Sequence, residues 1–205
     1  DKNFNIISCS PETLILKKNN LIKTKPIAGT LRKTKNTNQK KALTFFRKNE
    51  KETKEHNMIV DMERNDLAKI CKTGSVKIEK LKKVEEYRDL FHYVTTIKGI
   101  LKNKITNHEI ISSLMPGGSV IGCPKISTIQ LLNKKEKYDR NIYTGSFGII
   151  HANGDMRFNI MIRTLLNFKN KIDLSVASGV ILGSTAKKEY NENYIKAKSL
   201  LELFN

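Results

Sequence analysis

The apolar positions in the first part of the chain come in short runs separated by polar stretches. Residues 5–7, 14–16 and 21–22 are apolar runs of strand length, and residues 17–20 (Lys-Lys-Asn-Asn) have the composition of a turn. This pattern predicts short strands joined by turns. The polar stretch at residues 29–37 predicts a loop.

After this loop the apolar residues are spaced as on a helix. Residues 39–54 carry Ala42, Phe45 and Phe46 on one stripe, which predicts a polar helix with one apolar face. Residues 58–60 (Met-Ile-Val) begin a second buried segment.

Two later segments have clear periods. Residues 94–101 alternate and are rich in β-branched side chains, which predicts a strand. Residues 125–135 repeat apolar side chains at helical spacing and predict a helix. Its apolar positions are Ile126, Ile129, and Leu131 or Leu132.

The last third of the chain predicts three consecutive antiparallel strands, at residues 143–150, 155–167 and 172–182. Asn153-Gly154 supplies the turn signal between the first two. Alternation along the second strand places Met156, Phe158, Ile160 and Ile162 on one face and Arg157, Asn159, Met161 and Arg163 on the other. A strand with arginines on one face lies at the surface or lines a polar cavity.

A helix is predicted over residues 185–204, with Ser184 as its N-cap. Its apolar stripe is predicted to face the core. The opposite face carries Glu189, Glu192 and Lys196, and periodicity alone predicts that this face is solvated, with Glu192 and Lys196 as an i,i+4 ion pair. The stripe consists of Tyr190, Tyr194, Ala197, Leu201 and Phe204.

A length of 205 residues suits one domain, residues 1–205, with a sizeable core. No apolar run reaches the roughly 18 residues that a membrane span requires. Cys9, Cys71 and Cys123 are odd in number and far apart, so they are expected to be free thiols in a reducing cytoplasm.

The net charge of +18 raises the possibility of a nucleic-acid partner. However, 31 of the 38 basic residues are lysines, and they are spread along the whole chain. Nucleic-acid binding is typically marked by clustered Lys and Arg with stacking aromatic residues. We therefore expect no nucleic-acid function. A basic surface would still speed the encounter with an anionic substrate.

Residues 116–125 (Pro-Gly-Gly-Ser-Val-Ile-Gly-Cys-Pro-Lys) form the most unusual segment. A glycine-rich turn that leads into a helix is suited to hold an anion on free backbone N–H groups. The spacing matches neither the phosphate-loop nor the dinucleotide-binding motif. By itself the segment is equally well explained as a tight turn.

Four segments together resemble the chorismate-utilising enzymes, the family of anthranilate, aminodeoxychorismate, isochorismate and salicylate synthases. Their order along nearly the whole chain carries the resemblance. It implies an α+β, anthranilate synthase-like fold of antiparallel sheets and flanking helices, and a chain that lacks the family's N-terminal part. The segments are Ser10-Pro11-Glu12 with Pro26-Ile27-Ala28-Gly29-Thr30; residues 55–67 (Glu-His-Asn-Met-Ile-Val-Asp-Met-Glu-Arg-Asn-Asp-Leu); the loop at residues 116–125; and Tyr143-Thr144-Gly145-Ser146, which leads through Ile162-Arg163-Thr164 to Glu192 and Lys196.

The resemblance implies a displacement on chorismate in which Mg²⁺ holds the ring carboxylate. It assigns Glu55 and Glu192 as metal ligands and Glu189 as a further ligand or a residue behind them. A few carboxylates suffice for Mg²⁺, which shares its octahedron with substrate and water. Glu12 matches the acid that protonates the departing hydroxyl, and His92 matches the family histidine beside the leaving group.

Binding of the substrate carboxylates is implied for a further set of residues. Arg163 and Tyr143 match the pair that holds the side-chain carboxylate, and arginine suits this role because its planar fork forms two parallel hydrogen bonds. The ring carboxylate is assigned to Lys196 and the backbone of Ala177, Ser178 and Gly179. Ser119 stands where the family has Ser or Thr.

Within the family, Pro116-Gly117-Gly118-Ser119 and Tyr143-Thr144-Gly145-Ser146 resemble aminodeoxychorismate synthases. These enzymes are implied to replace the 4-hydroxyl of chorismate by an amino group, toward 4-aminobenzoate and folate, and are classed with the transaminases. Many of them carry a nucleophilic lysine where this chain has Ala28, and alanine cannot act as a nucleophile. Ammonia would then attack directly, as in anthranilate synthase, which remains the alternative.

The implied partners follow from this chemistry. Ammonia would come from a glutamine amidotransferase subunit, and an aminodeoxychorismate lyase would consume the product. A fragment that binds chorismate without turnover is a second alternative. Retention of Glu12, Glu55, His92, Arg163, Glu192 and Lys196 argues against it.

Overall fold

In the computed structural model, which describes residues 4–88, 90–169 and 171–204, the strands form two antiparallel sheets. Within these residues the larger sheet has seven strands in the order β4-β6-β3-β2-β8-β7, with β5 paired to β6, and the smaller has three in the order β1-β9-β10. The strands are β1 (Phe4–Ser8), β2 (Thr13–Lys18), β3 (Leu21–Lys25), β4 (Ile27–Arg32), β5 (Lys77–Glu86), β6 (Leu90–Ile100), β7 (Ser146–Ile150), β8 (Met156–Ile160), β9 (Thr164–Phe168) and β10 (Lys171–Leu174).

The helices pack on the larger sheet, and one of them dominates the core. The long helix α2 contacts β4, β6 and α3, and buries Val60, Leu67 and Ile70 against Ile15 and Ile97 of the sheet. The helices are α1 (Gln39–Lys48), α2 (Glu50–Ile70), α3 (Asn107–Leu114), α4 (Gly118–Ile121), α5 (Lys125–Lys135) and α6 (Ala186–Leu201), followed by a 3-10 turn at Glu202–Phe204. No described helix combines the length and the hydropathy that crossing a bilayer requires.

Several predicted elements are confirmed, and two are corrected in the first part of the chain. The strands at residues 5–7, 14–16 and 21–22 lie within β1, β2 and β3. The predicted loop at residues 29–37 was wrong at its start, because β4 extends to Arg32 by pairing with β6. The predicted helix at residues 39–54 is in fact α1 and the start of α2. Asn49 separates them, since its side chain accepts a hydrogen bond from the Glu52 N–H and caps the second helix.

The predicted continuous strand at residues 155–167 is divided between the two sheets. It leaves the larger sheet after Ile160 and enters the smaller one at Thr164. Arg163 lies at the corner with a φ of 50°, a left-handed conformation that is uncommon for a residue with a side chain. The alternation of apolar and polar residues in the sequence does not indicate such a change of sheet. The flanking strands are also shorter than predicted: β7 begins at Ser146, and β10 ends at Leu174.

Most of the apolar stripe of α5 and of α6 is exposed, contrary to the expectation for α6. The bounds of α5 are as predicted, yet Ile126 is 75% exposed. On α6, Tyr190 and Tyr194 are 74% and 63% exposed, whereas Glu189 on the predicted solvated face is buried. Of the other residues of this stripe, Ala197 is buried, whereas Leu201 and Phe204 are exposed. Thr185, rather than Ser184, is the N-cap residue of α6.

Candidate active site

Glu12 lies in a buried position just before β2 and has the properties of a proton donor. The Ile27 N–H donates to Glu12 Oε1 at 3.4 Å, and the Ser119 hydroxyl lies beside the same carboxyl. Burial raises the pKa of Glu12 to about 7, against the opposing effects of Ser119, Ile27 and the charges of Arg163 and Lys196. A carboxyl that keeps its proton near neutral pH can act as a general acid.

His92 is buried on β6, and its ring lies against β4. Its Nδ1 lies 3.3 Å from both the Gly29 carbonyl oxygen and the Thr30 hydroxyl, and since the carbonyl can only accept, a hydrogen bond to it places the proton on Nδ1. Burial, together with the charge of Arg163, lowers the pKa of His92 to about 4. The ring is therefore neutral at pH 7. Its buried Nε2 has no partner among the described residues and is available as an acceptor.

The glycine-rich loop at residues 116–125 packs closely against the core and brings Ser119 to Glu12. A Cβ atom on Gly118 would lie 2.0 Å from Met62 Cε, and one on Gly117 would lie 2.6 Å from Ile160 Cδ1. Close packing therefore accounts for these glycines. Ser119 Oγ is buried and makes no hydrogen bond of ordinary geometry to any described group.

The first turns of α2 carry two carboxylates into the site. Glu55 lies against the Gly179 backbone, because a Cβ there would be 2.4 Å from Glu55 Oε1. Glu52 lies similarly against Gly29, where an added Cβ would be 2.8 Å from Glu52 Oε2. Burial and the neighbouring Glu52 raise the pKa of Glu55 to about 7, and burial together with Glu192 raises the pKa of Glu52.

Helix α6 brings the other two carboxylates and a lysine to the same place. Glu189 forms an ion pair with Lys51 of α2. Lys196 Nζ lies 2.7 Å from Glu192 Oε1. Lys196 also donates to the Ala177 carbonyl oxygen at 3.2 Å. The face that periodicity assigned to solvent is therefore the face that meets the site.

The loop between β10 and α6 is fixed to α6 by a hydroxyl. Ser178 Oγ lies 2.9 Å from both the Glu189 carbonyl oxygen and Asn193 Oδ1. Tyr143, half-buried, lies beside the Ala177 backbone. The predicted backbone cradle of Ala177, Ser178 and Gly179 thus lies between Tyr143 and the α2 carboxylates.

Lys196 connects the two halves of the site. Its charge lowers the pKa values of Glu12 and His92 on one side and that of Glu55 on the other. Arg163, at the corner between the sheets, also acts on Glu12 and His92. The structure therefore gathers the predicted site residues into one region that joins a buried acid, a set of fixed cations and a carboxylate cluster.

Unpartnered buried atoms are concentrated in this region. Of five such side-chain atoms among the described residues, three belong to His92, Ser119 and Glu189. Unpaired polar atoms are costly in a folded protein and are expected where a ligand binds. Two shallow surface depressions lie elsewhere and contain none of the predicted residues; one is beside Asp61 and the other beside Arg47.

The donor set fits a magnesium ion in part. Four carboxylates are hard oxygen donors, and Glu189 Oε2 is buried without a partner. Within residues 4–88, 90–169 and 171–204, no three carboxylate, imidazole or thiol groups form a preassembled metal site. Mg²⁺ is commonly held by one or two carboxylates together with substrate and water, so this arrangement is compatible with it.

Sequence reasoning missed Glu52 and Lys51. A usable signal was present, because Glu52 lies three residues before Glu55 and residues at i and i+3 share a helix face. Lys51 had no local signal, since its partner Glu189 is 138 residues away along the chain.

Comparisons with known proteins agree with this geometry. The chorismate binding enzyme family model matches residues 1–202. The anthranilate synthase component I-like protein of Synechocystis is 38% identical over 96% of this chain and 41% of its own length. Aminodeoxychorismate synthase component 1 of Bacillus subtilis is 38% identical over 95% of this chain and 42% of its own.

A solved structure agrees as well. Anthranilate synthase component I from Streptococcus pneumoniae superposes with a TM-score of 0.85 at 36% identity, over 96% of this chain and 43% of that one. The chain spans about two fifths of the length of the curated relatives that it matches. An acid, cations and carboxylates lie together near the junction of the two antiparallel sheets, which makes this region the candidate active site. The chain belongs to the family of chorismate binding enzymes, and the predicted α+β, anthranilate synthase-like fold is confirmed.

Proposed function

We propose that this chain carries the chorismate site of an aminating synthase, aminodeoxychorismate synthase component I. The observation that carries the proposal is the convergence of Glu12, Arg163 and Lys196 with the carboxylates of α2 and α6. Chorismate bears two carboxylates and a leaving hydroxyl, and this set supplies cations for the first and an acid for the second.

The reaction combines chorismate and ammonia to give aminodeoxychorismate and water. A C–N bond forms on the ring and the C4–O bond breaks. Glu12 gives its proton to the departing hydroxyl, and the surplus proton on nitrogen restores the acid. A pKa of about 7 suits both transfers, because a catalytic group works best near the ambient pH.

His92 acts as a hydrogen-bond acceptor in this scheme. With its Nδ1 proton donated to the Gly29 carbonyl oxygen, the free Nε2 accepts from the substrate hydroxyl and orients its oxygen toward Glu12. Arg163 and Tyr143 hold the side-chain carboxylate. Lys196, with the backbone of Ala177 to Gly179, holds the ring carboxylate, and Ser119 contacts the substrate beside Glu12.

Mg²⁺ would be held by Glu55 and Glu192, with Glu189 and Glu52 close by. When bound, it would supply positive charge that fixes the ring carboxylate and favours departure of the hydroxyl. The chain's own contribution is to hold these carboxylates on two helices, one of them anchored in the core.

The structure of the β4 segment bears on which amine product is formed. Ala28 is buried between Ile27, which donates to Glu12, and Gly29, which contacts His92. A residue here adjoins the reacting groups, and alanine leaves ammonia as the direct nucleophile. This favours anthranilate synthase component I as a second candidate. The relatives with the two names are equally similar, at 38% identity.

The proposal implies partners that supply and consume small molecules. A glutamine amidotransferase would provide ammonia, and an aminodeoxychorismate lyase would act on the product. A cytoplasmic location, the folate pathway and the absence of a nucleic-acid partner remain predictions.

The test is incubation with chorismate, an ammonium salt and Mg²⁺, with products identified by mass spectrometry and anthranilate fluorescence. We expect a non-fluorescent amino adduct of chorismate, and Glu12→Gln should slow its formation by about 10²–10⁴-fold. Glu50→Gln is the matched control, because Glu50 lies on α2 with its side chain 84% exposed. Fluorescent anthranilate would support the second candidate. Chorismate binding without any turnover by the folded chain would overturn both.

A further inference from the structure

Lys51 lies where a lysine is unfavourable for its own helix. It is in the first turn of α2, directly between Glu50 and Glu52. The amino end of a helix carries partial positive charge, so a cation there is destabilising unless it has another partner. Its partner is Glu189 of α6, whose side chain is only 9% exposed. The lysine therefore connects the two carboxylate-bearing helices.

The two nearby lysines do not balance the charge of the carboxylate cluster, which consists of Glu52, Glu55, Glu189 and Glu192. Glu52, Glu55, Glu189 and Glu192 face Lys51 and Lys196, which leaves a net charge of two negative units when all are ionised. In the described part of the chain, Glu52 and Glu55 form no ion pair. A divalent cation would complete the balance, and Lys51 already neutralises one carboxylate that the cation could use.

A second observation shows that Glu189 has capacity for a ligand. Lys51 contacts Oε1, while Oε2 is buried and has no partner among the described groups. Glu189 therefore has one oxygen paired with an ammonium group and one buried oxygen that can accept a ligand.

We propose that Lys51 is a built-in counter-ion of the carboxylate cluster, which competes with the divalent cation for Glu189 and so weakens metal binding. The inference rests on the magnesium site of the proposed function. Without metal, the ammonium holds α6 against α2. With metal, the two cations share the negative charge, so metal binds weakly until the substrate carboxylate contributes a ligand.

The test measures metal binding directly, in the absence of substrate. Mn²⁺ is the probe, and its free concentration is followed by electron paramagnetic resonance during titration of the wild-type chain and Lys51→Met. The matched control is Lys54→Met, one turn along α2, where the lysine is 74% exposed and pairs with Glu50 on the surface. Melting temperatures in EDTA and in excess Mn²⁺ are recorded for all three.

Removal of the competing charge should tighten Mn²⁺ binding by about tenfold in Lys51→Met. The same variant should melt at a lower temperature in EDTA and recover in Mn²⁺, because the metal then joins the helices. Lys54→Met should stay within about twofold of the wild type. Equal or weaker Mn²⁺ binding by Lys51→Met would overturn the proposed role of Lys51 but not the magnesium assignment. Absence of binding by both wild type and Lys51→Met overturns the magnesium assignment, and the inference with it.

Discussion

Helices α2 and α6 contribute matching pairs of carboxylates, yet they are held in place by different means. Helix α2 is anchored by a buried apolar face that includes Ile59, Leu67 and Ile70. Helix α6 buries Ala197 and Leu200 and exposes its aromatic stripe. Its alignment depends on polar contacts, chiefly Lys51 with Glu189 and Ser178 with Asn193. One half of the site is therefore positioned by the core and the other by charge and hydrogen bonds.

The comparison is tested most strongly by deleting apolar volume from each helix. Leu67 is fully buried, whereas Leu201 is 41% exposed. We expect Leu67→Ala to reduce the free energy of unfolding by about 2–5 kcal/mol, because it leaves a cavity between α2 and the sheet. Leu201→Ala should cost less than about 1 kcal/mol. Urea denaturation measures both, and comparable losses would show that α6 is anchored like α2.

The pH dependence of stability should report the buried acids around α2. Burial raises the pKa of Glu63 to about 8 and that of Glu12 to about 7, whereas burial lowers the pKa values of His56 and His92 to about 4. Above pH 6.5 folded His56 and His92 are neutral, whereas their unfolded forms still lose protons up to about pH 7.5, which offsets the effect of the carboxyls only in part. The unfolded carboxyls are already ionised there, so the folded chain holds more protons and stability falls as pH rises.

We expect a loss on the order of 2 kcal/mol in the free energy of unfolding between pH 6.5 and 8. Urea denaturation at several pH values measures it. Glu63→Gln should remove most of the slope, because glutamine does not ionise and can still accept from Thr24, which donates to Glu63 Oε2 at 2.5 Å. Glu50→Gln on the exposed face should leave the slope unchanged. A flat profile for the wild type would show that Glu63 is ionised throughout.

The smallest effect should come from the hydroxyl that ties the loop to α6. Ser178→Ala removes its contacts with Glu189 and Asn193, and a hydrogen bond of this kind contributes about 0.5–1.5 kcal/mol. Since the same loop is proposed to hold the ring carboxylate, KM for chorismate should rise more than kcat falls. Steady-state kinetics checks this, with Ser112→Ala, an exposed serine on α3, as the matched control. An unchanged KM would mean that the loop needs no tie to α6.

Local patterns predicted most of the elements but not which faces they bury. The helix at Lys125–Lys135 and the turn at Asn153-Gly154 agree with the structure, because helical spacing and turn chemistry are local properties. The side of α6 that meets the protein is set by contacts with Lys51 and Ser178, which lie outside the helix. Hydrophobic period alone therefore assigned the wrong face to the core.

The site could be predicted only through the family resemblance. By periodicity, Glu189 and Glu192 lie on a solvated helix face, and His92 is a core histidine. What places them in one site is the pairing of β4 with β6 and the approach of α6 to α2, both long-range contacts. The corner at Arg163 has the same origin, because its left-handed backbone follows from a change of sheet that alternation does not encode.

The central claim is that carboxylates on both helices act as one unit on one divalent cation. The most direct test is a double-mutant cycle on chorismate turnover in ammonium and Mg²⁺, with Glu55→Gln, Glu192→Gln and the pair. Residues that act as a unit are strongly non-additive. The account predicts that each single variant loses nearly as much kcat/KM as the double variant. Losses that multiply in the double variant would contradict it, because the two helices would then contribute independently.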